Sequence, residues 1–110
     1  MPATYEDAKL IVQLARWSTE MGLDDAMTTL FASDFDPDMA SPDDPAVRKL
    51  LGFGEVVGTL TKQRVLDRGL VLDMWWMAGM WQRVGPAALR RRQELQEPRL
   101  YENFEALAHA

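Results

Sequence analysis

Between Leu70 and Trp81 the chain places twelve residues with a single charge, Asp73, and sets three tryptophans and three methionines among them. Any fold must cover this stretch, and its length decides how. A membrane-spanning helix needs about twenty apolar residues, so this run reads as a core helix. At 100° per residue, Leu70, Met74, Met77, Trp81 and Val84 fall within about 40° of a common line. Val71, Trp75 and Ala78 cover a second flank, and Leu72, Trp76 and Met80 cover much of the remainder. A helix apolar all round must be surrounded, by the rest of its own domain or by a second copy. Its expected span is Leu70 to about Val84, with Gly85-Pro86 breaking it and starting a further helix to about Gln96.

The other segments are also helical in pattern. Thr4 and Asp7 have the spacing of a capping box, and Ala8, Ile11, Leu14 and Ala15 share one face behind it. Gly22 sits where a left-handed helix end is expected, and Asp24 can start a short second helix carrying Met27, Leu30 and Phe31. Residues 33–45 hold three prolines and five aspartates, which marks an acidic linker. A third helix is expected from about Pro45 to Leu66, with Arg68-Gly69 after it. Gly52, Gly54 and Gly58 weaken it by about 1 kcal/mol each relative to Ala, and Gly54 and Gly58 form one smooth patch for a close neighbour. Beyond Pro98, the stripe Leu100, Tyr101, Phe104, Leu107 and Ala108 makes the last helix. Strict alternation is absent and β-branched residues are few. The expectation is an all-α, compact bundle of five or six helices built from helical hairpins, one domain over residues 1–110.

Composition closes off several kinds of chemistry. The chain has no cysteine and one histidine, His109, so thiolate catalysis and cysteine-based metal sites are excluded and Ser18, Ser33 and Ser41 lack the usual base. The run Asp34, Asp36, Asp38 opens like a calcium loop. However, Met39 stands where Gly is needed and Pro45 where a bidentate Glu is needed. Arg90, Arg91 and Arg92 point in three directions on a helix, and the net charge is −5, so nucleic-acid binding is not expected. Charge is split along the chain. Residues 1–45 carry two Lys/Arg against ten acids, and residues 46–110 carry ten against seven. Attraction between the halves, within the fold or across an oligomer, is the ordinary consequence. No secretory leader is recognisable, and a cytoplasmic location is expected.

The C-terminal third resembles an uncharacterised bacterial family of small helical domains, often attached to a membrane anchor. The matching residues are Gly69, Asp73, Trp76 or Trp81, Arg91 or Arg92, and Tyr101-Glu102-Asn103-Phe104-Glu105-Ala106-Leu107, within roughly residues 65–108. The resemblance implies an all-helical fold and no assigned activity. No anchor is expected in this chain, so membrane association is not carried over.

The leading functional expectation is protein–protein association as a homodimer. In this reading the Leu70/Met74/Met77/Trp81 line is core. The Trp75/Trp76 flank faces a partner, and Gly54 and Gly58 receive an indole. The alternatives are a Trp/Met-lined cleft for a small apolar ligand, and a carboxylate enzyme using Asp73, whose apolar neighbours can raise its pKa. The ligand or interface candidates are Gly54, Gly58, Asp73, Trp75, Trp76 and Met80. No residue is singled out as catalytic or metal-binding, and no cofactor is implied.

Overall fold

A computed structural model describes residues 2–110. Helix α1 (Tyr5–Glu20) starts at the expected capping box: Asp7 N–H donates to the Thr4 hydroxyl, and Thr4 N–H donates back to the Asp7 carboxylate. Gly22 adopts φ +77°, the left-handed turn into α2 (Leu23–Leu30). After the linker, Asp44 accepts from Ala46 N–H at 2.9 Å and Pro45 occupies the first position of α3 (Pro45–Lys62). Helices α4 (Arg68–Met74), α5 (Met77–Leu95) and α6 (Glu102–Ala108) complete an all-α fold.

Three expected boundaries are corrected. Helix α3 stops at Lys62, where Arg64 turns left-handed and Val65 N–H reaches back to the Leu60 carbonyl at 3.0 Å. Gly69 then lies inside α4, because Asp67 caps it by accepting from Leu70 N–H at 2.9 Å. The Trp/Met helix breaks not at Gly85-Pro86 but at Trp75–Trp76, where Trp75 is extended (φ −129°, ψ 141°). Helix α5 runs through Pro86 despite a cost of about 3 kcal/mol for interior proline. Val84, Gly85, Ala87 and Ala88 around it are all buried, and ending the helix there would expose them. Gly85 serves a different purpose from termination: a Cβ on it would lie 2.8 Å from the Trp81 indole of the preceding turn.

The break splits the expected core line. Met77, Trp81 and Val84 are buried, but Leu70 is half-buried and Met74 is 48% exposed, while Val71 is buried in their place.

Helix α3 lies at the centre and touches α2, α4, α5 and α6. Its Val47, Leu50, Leu51, Phe53 and Val57 are fully buried. The smooth patch at Gly54 and Gly58 has an occupant, and it is not an indole from another copy. The Phe104 ring fills the space of a Gly54 side chain, and the Asn103 backbone lies where a Gly58 side chain would be. Glu55, the lone acid of α3, completes this seat for α6. Its carboxylate accepts from the backbone N–H groups of Asn103 (3.1 Å) and Phe104 (2.9 Å) and from the Asn103 amide (2.9 Å). It therefore supplies the helix cap that Tyr101, at φ +60°, cannot give.

A side-chain carbon placed on Gly52 would meet nothing within 4 Å, unlike one on Gly54 or Gly58. Gly52→Ala is therefore expected to stabilise the protein by up to about 1 kcal/mol. Gly58→Ala should destabilise it by about 1–3 kcal/mol through overpacking. Urea unfolding monitored by circular dichroism measures both, and equal effects would contradict this packing.

Candidate functional site

The Trp75–Trp76 break turns two adjacent indoles in opposite senses. Trp75 is half-buried and sets its edge against Phe53, with ring centroids 5.3 Å apart at 79°. Phe53 in turn lies 5.5 Å from Trp17. Trp76 is 67% exposed. It lies across the bare backbone of Gly79, where any side chain would overlap its six-membered ring, and 6.2 Å from the exposed ring of Phe31.

Phe31 follows α2, and Arg83 of α5 holds the chain there. The guanidinium donates to the Leu30 carbonyl through Nε (2.6 Å) and to the Phe35 carbonyl through Nη2 (3.2 Å). It also stands 5.7 Å from the Phe31 ring centroid and 5.2 Å from that of Phe35. The result is an exposed aromatic surface: Trp76, Phe31 beside it, and Arg83 against Phe31. Met74, two residues before Trp76, is also half exposed.

The other candidates separate. Met80 is buried in the chain's own core, and Gly54 and Gly58 are covered by α6. Asp73 is exposed, so the expected buried acid is not there. Sequence reasoning placed Phe31 on the apolar side of α2 and missed its pairing with Trp76. The one signal for it was its position after the last helical turn, next to the breaker-rich linker.

The arginine run is equally divided. Arg90 donates to the carbonyls of Asp38 (2.8 Å) and Ala40, and Arg91 pairs with Asp43 and Glu94. Arg92 reaches Glu105 at 2.9 Å and the Leu100 carbonyl at 2.7 Å, with its guanidinium 6.0 Å from the Trp81 ring. Among the described residues, no group of three or more His, Cys, Asp or Glu is arranged to hold a metal ion. No helix among them is long and apolar enough to cross a membrane.

A cleft of about 970 Å³ opens elsewhere, between the start of α1, the α3–α4 connector and α6. Its described lining contains neither Trp nor Met, so it is not the aromatic pocket expected for an apolar ligand. Asp7 stands at its edge. One carboxylate oxygen takes both donors of Thr4 (2.7 and 2.9 Å), and the other accepts from Asp67 N–H at 3.0 Å.

Residues 4–110 match the family described as a domain of unknown function, DUF4760. The chain belongs to that family. The match over residues 4–110 agrees with the expectation of an uncharacterised domain family, and the family's description assigns no activity. No curated protein and no solved structure was found to match the chain.

The Thr4 backbone N–H and then its hydroxyl hold the Asp7 carboxyl below the usual carboxylate range; desolvation opposes them, and the Asp67 N–H adds a smaller lowering. The folded form therefore binds the Asp7 proton more weakly than the unfolded form. Its stabilisation is complete above the unfolded pKa and is lost as pH falls through the folded one. Asp7→Asn is expected to flatten the acid limb of the stability curve as pH falls from about 5 towards 2. Thermal midpoints across that range test this, and an unchanged slope would rule out the linkage.

Proposed function

We propose that this domain is a cytoplasmic protein–protein association module that pairs with a second copy of itself through the Trp76 surface. The observation that carries the reading is a tryptophan left 67% exposed beside an exposed phenylalanine, with Arg83 bound to the Leu30 carbonyl next to that phenylalanine. Burying such a ring releases water from a large apolar area at small entropic cost, because the side chain is already oriented. Tryptophan and arginine are also the residues that most often dominate association energies. A two-fold arrangement brings the same patch from both copies together, so one exposed indole supplies two anchors. Lack of cysteine fits a reducing compartment.

Sedimentation velocity over a range of protein concentrations tests this reading. The expected result is a reversible dimer, weakened in Trp76→Ala by about 2 kcal/mol or more, roughly thirtyfold in dissociation constant. The fold should persist in that variant, since the ring is 67% exposed. A wild-type protein that stays monomeric at high micromolar concentration would overturn the proposal.

A further inference from the structure

Most of the twelve Lys and Arg side chains are engaged: Lys9, Arg16, Arg91, Arg92 and Arg99 pair with carboxylates, and Arg83 and Arg90 bind backbone carbonyls. Among the described residues, five have no such partner: Arg48, Lys49, Lys62, Arg64 and Arg68. Three of the five, Lys62, Arg64 and Arg68, line the 970 Å³ cleft. In a chain with net charge −5, unpaired cations are concentrated where the surface is concave.

Three carboxylates, Glu6, Asp7 and Asp67, also line the cleft, but each is directed to a donor other than these cations. Asp7 is occupied by Thr4 and Asp67 N–H. Asp67 caps α4, and Glu6 pairs with Lys9 at 3.5 Å. Val65, 57% exposed, lines the cleft with Ala106 and Leu107, so an apolar wall stands beside the cations. Arg64 adds an independent observation. It occupies the left-handed position that ends α3, φ +60°, where glycine is the usual occupant and a larger side chain costs about 1 kcal/mol. That position puts the Arg64 guanidinium in the lining of the cleft.

We propose that this cleft binds a small organic anion, with a phosphate or carboxylate head held by Arg64, Arg68 and Lys62 and a short apolar body lying on Val65, Ala106 and Leu107. Guanidinium groups match both heads through paired N–H donors, and the volume is that of a small-molecule site. The site shares no residue with the Trp76 surface, so the two proposals stand or fall separately.

The test is a titration of the ¹⁵N-labelled full chain with hexyl phosphate, hexanoate, inorganic phosphate and hexanol, read as amide shifts. Saturable shifts at residues 62–68 and 106–107 are expected for hexyl phosphate or hexanoate. Inorganic phosphate should bind more weakly, and hexanol should leave these residues unmoved. Arg64→Gly removes the charge and relieves the backbone, so it should stay folded with an unchanged or higher melting temperature. That variant and Arg68→Gln should each weaken binding by about tenfold, while Arg48→Gln, outside the cleft, should not change it. Non-saturable shifts, equal weakening in Arg48→Gln, or full affinity in both cleft variants would overturn the proposal. Binding only to phosphatidylglycerol vesicles, with no response to hexyl phosphate or hexanoate, would also overturn it in favour of a membrane surface.

Discussion

The Phe104 ring occupies the volume that a side chain at position 54 would need, and the placement of α6, α5 and the linker follows from that exchange. Helix α6 has seven residues and no side-chain cap of its own, too short to persist without tertiary support. It is held by a buried aromatic ring, worth about 2–3 kcal/mol of apolar burial, and by the Glu55 carboxylate at its N-terminus. Trp81 then packs edge-on against Phe104 at 5.1 Å, with room made by Gly85. Arg92 stands over Trp81 and closes the assembly onto Glu105. The Tyr-Glu-Asn-Phe-Glu segment is therefore a docking device. Asn103 meets Glu55, Phe104 fills the glycine patch, and Glu105 meets Arg92.

Once α5 is placed, its arginines organise the acidic linker. A loop without regular structure leaves backbone carbonyls in need of donors, and a guanidinium offers five. Arg83 and Arg90 bind four carbonyls between Leu30 and Ala40, and Arg91 takes Asp43. The charge asymmetry of the two halves thus acts within one chain, and more through carbonyl groups than through carboxylates. This network also holds the chain on either side of Phe31, which lies next to Trp76.

The two functional proposals use different physics. The Trp76 surface is exposed, apolar and aromatic, suited to the same patch of a second copy that excludes water. The cleft near Arg64 is concave and carries three Lys/Arg side chains without a carboxylate partner, suited to the head of a small anion. Neither depends on a metal or a nucleophile.

The all-α class, the capping box at Thr4, the turn at Gly22 and the start at Pro45 were legible from sequence because each rests on residues within a few positions of one another. The same local logic found the smooth Gly54/Gly58 face and required a close neighbour for it. It could not say that the neighbour is Phe104, because nothing local links positions about fifty residues apart. The Trp/Met stretch shows the limit most clearly. Its composition required burial, and Met77, Met80, Trp81 and Val84 are buried as that requires. Where the helix breaks was a tertiary decision. Stopping at Pro86 would expose Val84, Ala87 and Ala88, whereas breaking at Trp75–Trp76 sends one indole onto Phe53 and leaves the other in solvent. The sequence by itself determined that this segment must be covered. Only the packing of α3, α5 and α6 decided which tryptophan stays uncovered, because that choice depends on side-chain volumes from distant parts of the chain meeting in one core.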